Sequence, residues 1–380
     1  MIYFDNNATT QPLPEVTEAV ARCMGEAYAN PSSAHQFGQR ARHQVECARE
    51  QVARLIGASA KEIIFTSGGT ESINTALHGM FAGESTRRRV VTTTVEHPAV
   101  LRVCERLDAR GHAVDYVGVD GDGQMDRAQW QRTVTPETAV ASFQHANNET
   151  GVVQDVAALA AIAAERGVIV HVDAVQAAGK TPIDVHSWSV NLLSISAHKF
   201  HGPKGVGALY VRRRTRLDPL MVGGTQERQL RGGTENVAGI VGMGVAAEIA
   251  ASRLSETIGD VAGLRDAFES GVQAAVPFAH VNGRSAPRVC NTSNVSFAEL
   301  EAEAILLLLS EAGVCASSGA ACSSGSLEPS HVLRAMGVEQ RLAHGAVRFS
   351  FSRLNTQAEV ERVVALLPGL LGRLTALRRR

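Results

Sequence analysis

Lys199 lies between two histidines, His198 and His201, directly after the apolar run at residues 192–196. Lysines usually lie on solvated faces, so a surface lysine at the end of a strand is one interpretation. Because the preceding run predicts a buried strand, the strand would instead deliver the amine to a cleft. Desolvation and neighbouring cations lower the pKa of an amine and make it nucleophilic toward carbonyl groups. Lys199 is therefore a candidate covalent lysine.

An aspartate ends another apolar run of the sequence. Asp173 directly follows VIVHV at residues 168–172. A buried carboxylate is costly unless it meets a cation or a metal ion. No cluster of His, Asp and Glu at metal-ligand spacing surrounds it in the sequence, which favours an organic cation. The alternative is an aspartate that caps the helix after it.

The stretch FTSGGTES, residues 65–72, predicts an anion site. It places Gly69 and Thr70 between a predicted strand and a predicted helix. Backbone N–H groups and the helix dipole attract anions at such a turn. The stretch is not a nucleotide P-loop, because no Gly-Lys-Ser/Thr follows the glycines. A plain turn between strand and helix is the alternative.

Together, these three features predict a site for pyridoxal phosphate. The lysine would form a Schiff base with the cofactor, and the aspartate would keep the pyridine nitrogen protonated so that the ring can withdraw electrons. The anion site would take the phosphate ester. Ser196 and His198 flank Lys199 and could add phosphate donors.

Two further residues are candidates for chemistry. His97 follows another predicted strand, where a flat imidazole could stack on the pyridine ring and exchange protons. A histidine that only satisfies its own hydrogen bonds is the alternative. Cys322 lies in a Ser/Gly/Ala-rich run that predicts an exposed loop. Such a thiol is a good nucleophile, although an incidental free thiol fits the same pattern.

The elements that must position these residues follow an alternating pattern. Seven short β-rich runs occur between residues 60 and 215, and helical patterns separate several of them. One of these predicted helices has Asp155 as its N-terminal cap and Gly167 as its C-terminal cap. This pattern predicts an α/β domain with a mostly parallel sheet, in which ligands bind at the carboxyl ends of the strands. A smaller α+β unit follows. We predict a large domain at 15–254 and a small domain formed by 1–14 and 255–380.

The composition excludes several classes of protein. A chain of 380 residues with 44% hydrophobic residues can form a substantial core, and its net charge of −1 does not indicate a nucleic-acid or membrane partner. The six cysteines form no CxxC pair, so no metal site is predicted. The first ten residues lack a signal-peptide pattern, and free thiols are expected in a reducing cytoplasm.

The sequence resembles the cysteine desulfurases of the class V, fold type I, pyridoxal-phosphate enzymes, and most of all the NifS, or nitrogen-fixation, type. The resemblance extends nearly from end to end. It is carried by DNNATT, NPSSAHQFG, FTSGGTES, EHPAV, ANNETGVVQ, HVDAVQAAGK, HKFHGPKGVGALY, GGTQERQLRGGTEN, SSGAACSSGSLEPSHVLRAMG and VRFS. Ala320 and Ser323 replace a frequent serine and a frequent threonine beside the cysteine, without removing a group that the chemistry needs.

The resemblance implies a role for each matched site residue. Lys199 would be the Schiff-base lysine, with Asp173 at the pyridine nitrogen, Gln176 at the ring hydroxyl and His97 stacked on the ring. The residues at the phosphate would be Thr70, Ser196 and His198 with Gly69 in the turn, and Thr234 from the partner subunit. The substrate carboxylate would be held by Asn148 and Arg348.

The resemblance also implies the reaction and its partners. A homodimer would convert L-cysteine to L-alanine and leave the sulfur as a persulfide on Cys322, from which it would pass to an iron–sulfur scaffold protein. Another enzyme of the same fold, an aminotransferase or a selenocysteine lyase, is the first alternative. A sulfur carrier without a cofactor is the second, and the cofactor residues argue against it.

Overall fold

A computed structural model describes residues 1–81, 87–318 and 328–378 of the chain. The α-helices of these ranges are α1 Pro14–Glu26, α2 Gln36–Leu55, α3 Gly69–Gly79, α4 Pro98–Asp108, α5 Arg127–Thr133, α6 Val156–Ala164, α7 Val237–Ser252, α8 Leu254–Ala275, α9 Ala302–Glu311, α10 His331–Ala335, α11 Gln340–Ala343 and α12 Gln357–Arg378. The β-strands are β1 Ile2–Tyr3, β2 Ile63–Thr66, β3 Arg89–Thr93, β4 Ala113–Val117, β5 Thr138–Gln144, β6 Ile169–Asp173, β7 Leu192–Ser196, β8 Gly207–Val211, β9 Ala279–Val281, β10 Thr292–Phe297, β11 Val314–Cys315, β12 Ser317–Ser318 and β13 Ala346–Ser350.

The largest sheet has seven strands in the order β2-β8-β7-β6-β5-β3-β4. Strands β3, β4, β5, β6 and β7 pair in parallel. Strand β8 is antiparallel to both β7 and β2, so β2 runs in the same direction as β7 and six of the seven strands share one direction. The carboxyl ends of these six strands therefore lie along one edge of the sheet. The sequence prediction of a mostly parallel sheet at residues 60–215 is confirmed.

Burial explains why these runs form strands. The residues of β2, β5, β7 and β8 are buried throughout, as expected for a sheet that helices cover on both faces. Helix α2 buries its apolar stripe, including Ala41, Val45 and Val52, against the same core. Helix α7 packs against α1 and α2.

Helix α6 lies between its two predicted capping residues, since the Gly167 N–H donates to the Ala164 oxygen and the Val168 N–H donates to the Ala163 oxygen at its C-terminal end. Asp155 caps α6 as predicted, since its side chain accepts a hydrogen bond from the Ala158 N–H. The helix ends at Ala164, and Gly167 lies in the following turn with a φ of +62°. The turn tightens over the last residues, and glycine is needed where the backbone becomes left-handed.

A second sheet, with the order β12-β13-β10-β9, lies after the large sheet in the chain. The N-terminal strand β1 pairs in parallel with β11, so the first residues of the chain pack with its C-terminal part. An apolar cluster that includes Phe4, Phe268 and Phe349 fills this region. The domain boundaries at residues 14 and 254 remain a prediction.

In the described ranges, no single helix is long and apolar enough to cross a membrane. The pair α7 and α8 passes that test only when the two helices are taken together, and they are bent by 77° at the break between them.

Candidate active site

A cleft lies at the carboxyl edge of the large sheet, where β5, β6 and β7 end. The space within it, including the open solvent at its mouth, is about 630 Å³. It is lined by Gly69, Thr70, Ile73, His97, Gln144, Ala146, Asn148, Asp173, Val175, Gln176, Ser196, His198 and Lys199. The structure thus brings together nine of the residues that the sequence singled out.

Lys199 is the last residue of a short 3₁₀ turn that directly follows β7. Its Nζ donates to the backbone oxygens of Asn7, at 2.5 Å, and Ala8, at 2.9 Å. The side chain is half-buried and lines the cleft. The strand therefore delivers the amine to the cleft, as the sequence predicted.

Asp173 is the last residue of β6 and is buried, with 6% of its surface exposed. Its Oδ1 accepts a hydrogen bond from the Val175 N–H at 2.9 Å. Burial raises the pKa of Asp173 to about 6, although that hydrogen bond and Lys199 act in the opposite direction. A carboxylate with this burial is stabilised by a cationic ligand in the cleft.

The predicted anion site corresponds to the N-terminus of α3. No side chain caps this end of the helix, so the N–H groups of its first turn are available to a ligand. A Cβ added to Gly69 would lie 2.6 Å from Val175 Cγ2, so the turn has room for glycine only. Ser196 ends β7 beside this turn, since a Cβ on Gly68 would lie 3.7 Å from Ser196 Oγ.

Two histidines of the cleft are neutral at physiological pH. His97 caps α4, where its Nδ1 accepts from the Ala99 N–H at 3.1 Å. Burial, and then the charges of Lys199 and His331, lower its pKa to about 4. His198 lies 3.2 Å from the Thr9 hydroxyl through Nδ1, and burial and the neighbouring lysines lower its pKa to about 4 as well. Both can act as uncharged hydrogen-bonding or stacking groups.

Arg348 lies next to the cleft, although it is not one of the described lining residues. It is buried on β13 and donates to the backbone oxygen of Asn148 at 3.0 Å, while Asn148 itself lines the cleft. A salt bridge of 2.9 Å joins it to Asp5. Its Nε is buried without a hydrogen-bond partner among the described residues. The Nε–H therefore has no acceptor among the described residues, and it is a donor that a ligand could use.

Two further predicted site residues are Thr234 and Cys322. Thr234 is exposed, in the segment between β8 and α7, and does not line the cleft of its own chain. Cys322, with Ala320 and Ser323 beside it, lies outside the described residues.

The sequence analysis missed three residues that shape the site. The Asn7 backbone oxygen accepts from both Lys199 and Gln176, and no local pattern links positions so far apart in the chain. Lys180 is buried beside Gln176 and looks in sequence like a surface lysine after a glycine. Glu96 is buried, and its pKa is raised to about 8, mainly by burial. Its position directly before His97 was the only signal.

These residues fit pyridoxal phosphate as a bound group. The glycine turn and the open helix end suit a phosphate ester, the buried carboxylate of Asp173 suits a pyridinium, and the amine of Lys199 suits an aldehyde. No ligand other than pyridoxal phosphate is required to explain why these three features meet in one cleft.

Comparison with known proteins identifies the family. The sequence pattern of the family described as Aminotransferase class-V matches residues 2–363. The chain belongs to the class-V aminotransferases. Pyridoxal phosphate is the cofactor of this family, so the predicted cofactor is confirmed.

Relatives of this class-V aminotransferase cover nearly its whole length. A protein named cysteine desulfurase from Gluconacetobacter diazotrophicus is 50% identical over 98% of this chain and 94% of its own length. The cysteine desulfurase NifS of Azotobacter vinelandii is 46% identical over 98% and 93%.

Solved structures give the same fold. A NifS-like protein, 40% identical, superposes with a TM-score of 0.91 over 98% of this chain and all of its own. A structure described as SspA in complex with cysteine is 32% identical, with a TM-score of 0.80 over 94% of this chain and all of its own. The predicted fold, that of the fold type I enzymes, is confirmed.

Proposed function

We propose that this protein is a cysteine desulfurase, which converts L-cysteine to L-alanine and leaves the sulfur as a persulfide on Cys322. The observation that carries the proposal is the convergence of Lys199, Asp173 and the open N-terminus of α3 on one cleft. Relatives about half identical over nearly the whole chain carry the name cysteine desulfurase, which supports this activity over others of the same family.

Each group of the cleft has a proposed task toward the cofactor. When bound, pyridoxal phosphate supplies a carbonyl carbon for amines and a ring that withdraws electrons from the substrate's α-carbon. Lys199 Nζ would hold the cofactor before substrate binds and, once its amine is free, would remove and return the proton at the substrate's α-carbon. Asp173 keeps a proton on the ring nitrogen, and His97 covers the ring. Thr70, Ser196 and His198 bind the phosphate, around Gly69.

Arg348 and Asn148 are proposed to hold the carboxylate of the substrate. A guanidinium suits a carboxylate because two parallel N–H groups can donate to its two oxygens. Asp5 already neutralises one side of Arg348, and the bond to the Asn148 backbone fixes its position. The buried Nε without a described partner supports a further acceptor at this guanidinium.

The sulfur atom is transferred without an external oxidant or reductant. The Cys322 thiolate attacks the sulfur of the bound substrate, so an S–S bond forms and the C–S bond breaks. The electron pair of the broken bond stays with the β-carbon, which takes a proton and becomes the methyl group of alanine. The enzyme thiol and cysteine thus become an enzyme persulfide and alanine.

The assembly and the destination of the sulfur are proposed on the resemblance. Two copies form a homodimer in which Thr234 completes the phosphate site of the partner, and its exposed position outside its own cleft supports this arrangement. The persulfide passes its sulfur to an iron–sulfur scaffold protein in the cytoplasm. The NifS-like motifs of the sequence favour nitrogenase cluster assembly as the use of that sulfur.

A simple assay tests the activity against its alternatives. The purified protein, loaded with pyridoxal phosphate, is incubated with L-cysteine and a thiol reductant, without any keto acid, and alanine and sulfide are quantified. We expect equal amounts of both. Conversion of an added keto acid to its own amino acid, without alanine in its absence, would indicate an aminotransferase. Turnover of selenocysteine without turnover of cysteine would indicate a selenocysteine lyase.

A further inference from the structure

Lys180 is a buried lysine that the proposed reaction does not use. It follows Gly179 in the turn after β6, and 7% of its surface is exposed. Its Nζ donates to Gln176 Oε1 at 2.8 Å and to Asn7 Oδ1 at 3.5 Å. In the described part of the chain no carboxylate forms a salt bridge with it. A buried ammonium without a carboxylate is costly, so its two amide contacts require an explanation.

The contacts of Lys180 determine which way the Gln176 amide points. Lys180 Nζ donates to the amide oxygen, and the protonated amine has only donors, so in that form it cannot contact the amide nitrogen instead. At the other end of the amide, Nε2 donates to the Asn7 backbone oxygen at 2.9 Å, and this oxygen can only accept. Both neighbours therefore impose the same orientation. Gln176 lines the cleft, and its second N–H has no acceptor among the described residues.

We propose that Lys180 is a positioning residue, which fixes the Gln176 amide so that its nitrogen, and not its oxygen, faces the ring oxygen of the bound cofactor. This inference rests on the proposed function, because it concerns the contact of Gln176 with the ring. An amide that turned around would place its oxygen against the ring oxygen. Two acceptors would then face each other, and the contact would be lost.

The charge of Lys180 acts on the same site. Burial, followed by the nearby charge of Lys199, lowers the pKa of Lys180 to about 7. Five titratable or charged side chains face Lys180: Lys199, Cys290, Arg348, His198 and His201. The protonated Lys180 therefore adds a positive charge close to the amine that holds the cofactor.

The test compares Lys180→Met with Lys204→Met. Methionine keeps the length and packing of the lysine stem, while Lys204 is an exposed lysine of the same lysine-rich segment that does not contact Gln176. The dissociation constant for pyridoxal phosphate and the pH midpoint of the visible absorbance of the Lys199-bound cofactor are measured for each. For Lys180→Met we expect about tenfold weaker binding and a higher midpoint, because a charged donor and its field are lost. For Lys204→Met we expect neither.

A second comparison shows whether Lys180 acts through Gln176. In a Gln176→Leu background, Lys180→Met should no longer weaken cofactor binding, because the amide that it positions is gone. Equal weakening in both backgrounds, or unchanged binding and midpoint in Lys180→Met alone, would overturn the role of Lys180. If the unmodified protein formed no visible complex with pyridoxal phosphate, the proposed function itself would fail instead.

A crystal structure of the unmodified protein with its cofactor tests the same point without a variant that has to fold. We expect Lys180 Nζ on Gln176 Oε1 and the Gln176 nitrogen on the ring oxygen. A Gln176 oxygen that faces the ring, or a Lys180 that contacts another group, would contradict the inference.

Discussion

At the scale of single residues, the site contains two lysines that both contact Asn7. Lys199 reaches its backbone oxygen, and Lys180 reaches its side-chain oxygen. Only Lys199 lines the cleft with Asp173. Lys180 is held by the Gln176 amide and lines a neighbouring cavity that Lys199 lines as well, but it does not line the cleft itself.

Lys199→Ala should therefore abolish the visible absorbance of the bound cofactor and reduce turnover by about three orders of magnitude or more. Lys180 should not replace it, because Gln176 and Asn7 hold its amine. Absorbance spectra and alanine assays measure both effects, and Lys204→Ala, at an exposed position, is the control. A normal spectrum in Lys199→Ala would remove Lys199 from its proposed role.

The raised pKa of Asp173 leads to a prediction about pH. Below about pH 6 the buried carboxyl of the free protein is protonated and cannot attract a pyridinium proton, whereas above this pH it is ionised. Cofactor binding to the cofactor-free protein should therefore weaken as the pH falls through 6. Asp173→Asn should remove this step and lower turnover by about two orders of magnitude. Identical pH profiles for the two proteins, measured by cofactor titration, would refute this role.

At the scale of the elements, close approach of two segments shapes the turn before α3. Gly207, the first residue of β8, lies beside the turn before α3. A Cβ at this position would be 2.7 Å from both Gly68 Cα and the Ile195 backbone oxygen. These are backbone atoms, which cannot move aside as a flexible side chain can. The glycine allows β8 to lie between β2 and β7 without displacing the turn.

Gly207→Ala should lower the free energy of unfolding by about 1–3 kcal/mol and weaken cofactor binding, because the turn has to shift. Gly259→Ala is a matched control, since its added Cβ meets no atom within 4 Å on the exposed side of α8. The control should gain up to about 1 kcal/mol, because alanine favours a helix. Chemical denaturation measures both. A Gly207→Ala protein as stable as the control would show that the contact is not limiting.

The sequence predicts most of these elements but not how they meet. Strand runs such as those of β6 and β7 are local and strongly apolar, so their positions and their terminal polar residues could be predicted. The antiparallel insertion of β8 between β2 and β7 could not, because no local pattern encodes strand order. The contact between Asn7 and Lys199 also depends on the whole fold, since the two residues are 192 positions apart.

At the scale of the whole molecule, the N-terminal segment links the two sheets. Strand β1 pairs with β11, Asp5 forms the salt bridge to Arg348 on β13, and Asn7 accepts from Lys199 after β7. The first ten residues thus connect the proposed carboxylate-binding residue with the proposed cofactor lysine. The exposed Thr234 remains outside this arrangement, which is why a second copy of the chain is proposed to use it.

A mixed dimer tests that proposal. Protomers with Lys199→Ala and Thr234→Ala, carrying different tags, are co-expressed and purified as a pair. If Thr234 serves the partner's site, the Thr234→Ala protomer keeps its own lysine and receives an intact threonine. The pair should then show about half of the unmodified activity at low cofactor concentration, while the Thr234→Ala homodimer should bind the cofactor about tenfold more weakly. Pair activity no better than that homodimer would place Thr234 in its own site.

The transfer of sulfur from cysteine to Cys322 is tested most directly by Cys322→Ser. Cys322 has no proposed contact with the cofactor, so the variant should bind pyridoxal phosphate normally and respond to added L-cysteine in its spectrum. A serine hydroxyl ionises far less readily than a thiol and cannot carry a persulfide. The measurement is alanine formed from L-cysteine, together with protein-bound sulfur released by reductant, in the variant and in the unmodified protein. We predict little alanine and no bound sulfur in Cys322→Ser, whereas alanine formation at the unmodified rate would contradict the persulfide mechanism.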